Sequence, residues 1–181
     1  MNRLAKMLGF ACVLLLVCGM AQAQTFGPSG TTSLQVTVGA EAALSINPTS
    51  SLTNSGGSFG TDFTGTTNLT YKVRTVQSGG TGSITLKVTT DFGGTDGPKV
   101  ANPPTAGDTL SYTCTVTSPG TGCSGSQTAS TSADTPVSTF GADAKTAKAG
   151  NSGSVSWTLT NDPQYSTGSY TATVTFTISA A

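Results

Sequence analysis

The residue types that usually carry side-chain chemistry are scarce in this 181-residue chain, and what is missing narrows its function first. No histidine is present, so imidazole bases and imidazole metal ligands are excluded. A serine nucleophile would need a base. No G-x-S-x-G turn occurs, and Lys145 and Lys148 have no local pattern that pairs them with a serine. The carboxylates are Glu41 and seven aspartates, nearly all beside Gly or Pro, which marks turn and solubilising residues rather than the paired acids of a glycoside hydrolase. Asp91, Asp96 and Asp108 share one Gly-rich region and are oxygen donors of the kind Ca²⁺ takes. Their spacing matches neither an EF-hand loop nor a G-G-x-G-x-D repeat, so calcium there stays an open question. Asn68-Leu69-Thr70 fits a glycosylation sequon but falls inside an expected strand. The expectation is a protein that is not an enzyme and uses no cofactor.

The cysteines do offer chemistry. Of four, Cys12 and Cys18 fall in an N-terminal apolar stretch, leaving Cys114 and Cys123 as an even pair. In an exported chain such a pair is expected as a disulfide. Ser118-Pro119-Gly120 lies between them, with Pro119 expected at the first central turn position and Gly120 supplying φ > 0 at the second, as in a hairpin closed by its own bridge. A redox dithiol would call for a CxxC spacing, which is absent.

Export is written at the N-terminus. Arg3 and Lys6 precede an apolar run over residues 8–17, and Ala21-Gln22-Ala23 follows as a small-x-small cleavage site. This is the pattern of a secretory signal peptide over residues 1–23, with the mature chain starting at Gln24. The run is too short to span a bilayer and no second long apolar stretch follows, so no membrane insertion is expected. From Gln24 onward six basic residues stand against eight acidic ones, a net charge of −2. That balance offers no footprint for nucleic acid.

The elements that must position these residues are strands. With 22 Ser, 35 Thr and 23 Gly, the composition favours an all-β, turn-rich chain. Apolar residues alternate with period two: Leu34, Val36 and Val38, then Leu44 and Ile46; Leu69, Tyr71 and Val73; Ile84, Leu86 and Val88; Leu110, Tyr112, Cys114 and Val116; Val155, Trp157 and Leu159; and last Tyr170, Ala172, Val174, Phe176 and Ile178, separated by Thr and Ser. The second and third of the clear strands, joined through residues 77–82, read as a hairpin. Residues 91–108 read as loop and residues 125–153 as the least ordered stretch, with Val137 and Phe140 its only sizeable apolar side chains. One immunoglobulin-like antiparallel two-sheet β-sandwich over residues 34–181 is expected, after a flexible segment at residues 24–33, with Trp157 in the core.

Signal peptide, alternating first strand, Thr-rich short strands and the final Gly168-Ser169-Tyr170-Thr171-Ala172-Thr173-Val174-Thr175-Phe176-Thr177-Ile178 together resemble the spore coat protein U family and the related archaic chaperone-usher pilins. Those proteins end in a G-x-Y-x-D-x-V-x-V-x-V strand. Here Ala180 stands where they usually carry an aromatic residue, and Ala42-Ala43 near where a first-strand cysteine is typical. Trp157-Thr158-Leu159 also resembles, more weakly, the motif of the WxL cell-wall-binding domain. The first resemblance implies a secreted structural subunit of a surface fibre or coat. Its partners would be copies of itself or related subunits, and a periplasmic chaperone or usher. The physical counterpart would be a sandwich with an open edge, filled by an extended segment of a neighbour. Leu34, Val36 and Val38, preceded by Gly27-Pro28-Ser29-Gly30 and followed by Gly39, form the candidate donor strand, though they also fit a first strand of their own domain. The alternative is a monomeric module that binds cell-wall or extracellular polysaccharide.

Overall fold

The computed structural model describes residue 27, residues 29–57 and residues 59–181; the expected signal peptide lies outside the described residues. The chain divides into two units, Met1–Thr37 and Val38–Ala181. The described part of the first contains no strand and no helix. The second is all-β, a two-sheet antiparallel sandwich. Its strands are β1 (Glu41–Ile46), β2 (Phe63–Arg74), β3 (Gly82–Thr90), β4 (Leu110–Val116), β5 (Thr121–Gly122), β6 (Gln127–Thr128), β7 (Thr135–Phe140), β8 (Asn151–Leu159) and β9 (Thr173–Ala180). One sheet has the order β1-β2-β8-β4-β6 and the other β5-β7-β3-β9.

Period-two alternation decides which side chains meet between the sheets. Leu69, Tyr71 and Val73 of β2, Ile84, Leu86 and Val88 of β3, and Val155, Trp157 and Leu159 of β8 are all buried, while Thr, Ser and Lys at the intervening positions face outward. Two buried polar groups inside are satisfied. The Trp157 indole donates to Thr67 Oγ1 at 2.8 Å, and the Tyr112 hydroxyl lies 2.7 Å from Thr135 Oγ1 and donates to Pro136 O at 2.9 Å. Burial pushes the Tyr112 hydroxyl pKa up.

Four expectations need correcting. β2 and β3 are not a hairpin, because they belong to different sheets and face each other across the core. The connecting residues 75–81 turn the chain from one sheet to the other, with Thr75 buried in the corner and its hydroxyl donating to Gly141 O. Residues 125–153 are ordered, since Val137 and Phe140 suffice to seat β7 against β3. Leu34, Val36 and Val38 form no strand, and the first one starts at Glu41, beyond Gly39.

The fourth correction concerns the disulfide. Cys114 and Cys123 are bonded, with Cα atoms 5.3 Å apart, but they do not close a hairpin. Cys114 is on β4 of one sheet, and Cys123 follows β5 of the other and donates its N–H to Val137 O of β7, so the bridge ties the sheets together. The Ser118-Pro119 peptide is cis, and Gly120 N–H donates to Thr117 O. Pro119 therefore takes the second central turn position, not the first. Gly120 has no positive φ and is needed for room, since a Cβ there would lie 2.7 Å from Val116 Cγ1 and 2.9 Å from Ser138 Oγ.

Candidate functional site

The two sides of the sandwich differ. On one side the sheets end in β6 and β5, two residues each, beside the Cys114–Cys123 bridge. Such short edges give an incoming strand almost nothing to pair with. On the other side they end in β1, six residues long, and β9, eight residues long. β1 bonds only to β2, and β9 only to β3, so every second residue of each edge turns its N–H and C=O away from the sheet.

Side-chain exposure follows the same asymmetry. Val174, Phe176 and Ile178 of β9 sit opposite Val88, Leu86 and Ile84 of β3; Ala42, Leu44 and Ile46 of β1 sit opposite Val73, Tyr71 and Leu69 of β2. Opposite residues share a face. All six inner partners are buried, and all six edge residues are only half-buried. β1 and β9 approach each other over part of their length, and the gap beside them lies towards Ile46 and Val174. It opens into a groove of about 1040 Å³, whose walls include Ile46, Leu52, Phe63 and Trp157 on one side and Val174 and Phe176 on the other.

At one end the groove wall is Tyr170, which lies just before β9 and not on it. Its ring packs so closely on Gly97 that a Cβ there would be 2.2 Å from Cε1, and its hydroxyl donates to Ser166 O at 2.6 Å. Ala172, also expected on the strand, is half-buried beside it.

Three carboxylates gather near that end. Phe63, Leu159 and Leu110 form one row across β2, β8 and β4, and Asp62, Asp162 and Asp108 follow or precede these residues by one to three positions. Tyr165 O–H donates to Asp108 Oδ2 at 3.1 Å. Asp162 is buried, and its Oδ1 accepts from Gln164 N–H at 2.8 Å. The carboxyls of Asp108 and Asp162 lie within hydrogen-bonding reach of each other. Burial raises the Asp108 pKa, whereas hydrogen bonds from Thr105 and Gln164 lower that of Asp162. Burial and the neighbouring Asp108 push the Tyr165 hydroxyl strongly upward.

The sequence-derived candidates fall out as follows. Asp91, Asp96 and Asp108 are not brought together as a calcium site. Asp91 is consumed by the backbone N–H groups of Phe92, Val100 and Ala101, and no group of three possible metal ligands gathers among the described residues. Trp157 is buried, as expected of a core residue, and forms part of the groove wall. Leu34, Val36 and Val38 are 94%, 82% and 61% exposed. No helix among the described residues is long and apolar enough to cross a membrane. Sequence reading missed β1 as a groove wall and the company Asp108 keeps with Asp162. Compared with known proteins, the chain matches no family model, no curated protein and no solved structure.

Proposed function

We propose that this protein is a secreted, non-enzymatic structural subunit of a surface fibre or coat, assembled by β-strand addition. The observation that carries the reading is the groove beside β1 and β9, lined by the half-buried Ile46, Val174 and Phe176, which lack the cover that a further strand would provide. An occupant must be extended, offer backbone partners to a free edge and insert apolar side chains at every second position. Leu34, Val36 and Val38 meet these needs, and they are the most exposed alternating apolar residues described. The disulfide suits the oxidising compartment into which a signal peptide would deliver the chain.

Turn geometry favours a strand from another copy. If residues 33–38 folded back on their own β1 through a two-residue Gly39-Ala40 turn, Thr37 would sit opposite Ala42 and Gln35 opposite Leu44. Those positions face inward, so the polar residues would enter the groove and Leu34, Val36 and Val38 would stay outside. A three-residue loop restores the parity, but over residues 38–40 it removes Val38 and over residues 39–41 it takes Glu41 out of β1, and the left-handed position that wants glycine then falls on Ala40 or Glu41. A strand from a neighbour has no such turn and takes the register that buries all three.

Size-exclusion chromatography with light scattering on residues 24–181 tests this. Self-association is expected, and it should vanish when residues 24–38 are deleted and return as a one-to-one complex when a peptide of residues 31–39 is added. A monodisperse full chain that ignores the peptide and binds glucan or peptidoglycan would replace this reading with the polysaccharide module.

A further inference from the structure

Two loops meet where β4 begins and β8 finishes, and each is held by its own turn. Residues 105–108 close through the Asp108 N–H on Thr105 O at 3.2 Å, with Gly107 at a φ of 104° that suits glycine. Residues 162–165 close through the Tyr165 N–H on Asp162 O at 3.0 Å and the Gln164 N–H on Asp162 Oδ1 at 2.8 Å. Between the loops, Gln164 Nε2 donates to Thr105 Oγ1 at 2.9 Å, and the Thr105 hydroxyl donates to the Asp162 carboxylate. One hydroxyl oxygen is thus held between a carboxylate that accepts its proton and a carboxamide that offers an acyl carbon. The Asp108 carboxyl, within hydrogen-bonding reach of Asp162, can share a proton that Asp162 takes up. A nucleophile, its base and an acyl group are the parts of an acyl transfer.

We propose that Thr105 and Gln164 join spontaneously in an ester cross-link. Asp162 takes the Thr105 proton as Oγ1 attacks Cδ of Gln164. The Oγ1–Cδ bond forms, the Cδ–Nε2 bond breaks, and the proton passes to Nε2, which leaves as ammonia. Nothing is oxidised or reduced, and no co-reactant is consumed. Because both groups sit on closed turns, the attack runs at an effective concentration that no free pair could reach. Gln164 is exposed, so ammonia escapes into bulk water and draws the step forward. The protein reacts once with itself and turns over no substrate. The link would tie the chain entering β4 to the chain between β8 and β9, a second covalent tie besides Cys114–Cys123. It does not depend on what occupies the groove.

Trypsin gives the readout. Cleavage after Lys99, Lys145 and Lys148 puts Thr105 and both bridged cysteines in a peptide of residues 100–145, and Gln164 in one of residues 149–181. From residues 24–181 held at neutral pH, the two peptides should emerge as one species whose mass is their sum less one ammonia. Cyclisation of an N-terminal Gln24 also loses ammonia, but in a different peptide. Hydroxylamine should split the linked species, leaving Thr105 intact and a hydroxamate on Gln164. Thr105→Ala and Gln164→Glu should each give two separate peptides, and Asp162→Asn should slow linking about a hundredfold. Separate, unmodified peptides from the unsubstituted chain would overturn the proposal. So would a link that survives Thr105→Ala. Conversion of the Gln164 carboxamide to a carboxylate with no link would overturn it too, since water and not Thr105 would then be taking the acyl group.

Discussion

Phe176 and Leu86 sit opposite each other on β9 and β3 and turn to the same side, yet Leu86 is sealed from solvent and Phe176 is only half-buried. The difference is the width of one strand. Leu86 has β7 and β9 on either side, whereas Phe176 has β3 on one side and the groove on the other.

Phe176→Ala is therefore expected to cost the isolated subunit about 2 kcal/mol, below the roughly 3 to 5 kcal/mol of a fully buried phenylalanine. Thr175→Ala, on the outer face, should cost less than about 0.5 kcal/mol even though it removes the exposed hydrogen bond to Thr89. Urea unfolding of the subunit with residues 24–38 deleted measures both. Equal losses would mean that the register of β9 has been misassigned.

Replacing Cys114 and Cys123 together by serine should cost about 2 to 3 kcal/mol, because the bridge closes a loop with a sequence separation of nine. Thiol titration of the unfolded, unreduced protein should find no free cysteine in residues 24–181.

Thr67→Val keeps the shape of the side chain and removes the acceptor of the Trp157 indole. It should destabilise by about 1 to 3 kcal/mol, the cost of a buried donor left unmet. Thermal unfolding followed by Trp157 fluorescence reads this directly.

The two aspartates should respond with opposite signs. Asp108 has a folded pKa above its unfolded value of about 3.9, so its contribution is favourable below that value and is lost as pH rises through the folded one. Asp108→Asn should therefore raise Tm at neutral pH. Asp162 is shifted down, so its contribution is present above the unfolded value and is lost as pH falls through the folded one. Asp162→Asn should lower Tm at neutral pH. Differential scanning calorimetry at neutral pH separates them.

What the sequence could reveal was set by how far each signal reaches. Alternation is local, and it correctly marked the inward sets around Tyr71, Leu86 and Trp157. Pairing is not local. The residues flanking 75–81 alternate as a hairpin's strands would, and only the finished topology separates β2 from β3. Val137 and Phe140 carried too little hydrophobic signal to reveal β7, whose stability comes from β3 beside it. The groove was legible only as a possibility, because β9 has the pattern of a buried strand and only the absence of a neighbour beyond it leaves Phe176 uncovered. Asp108 and Asp162 are 54 positions apart and meet because β4 and β8 are adjacent.

The unequal edges of the sandwich also bear on the geometry of any polymer. A unit with two receptive edges could take two strands and would grow into branched networks. With β5 and β6 cut to two residues beside the disulfide, and β1 and β9 bordering one groove, the proposed assembly would have one socket and one candidate plug per molecule. Joined head to tail, such units would have only one way to extend, and the product would be an unbranched thread whose length is set by supply and termination.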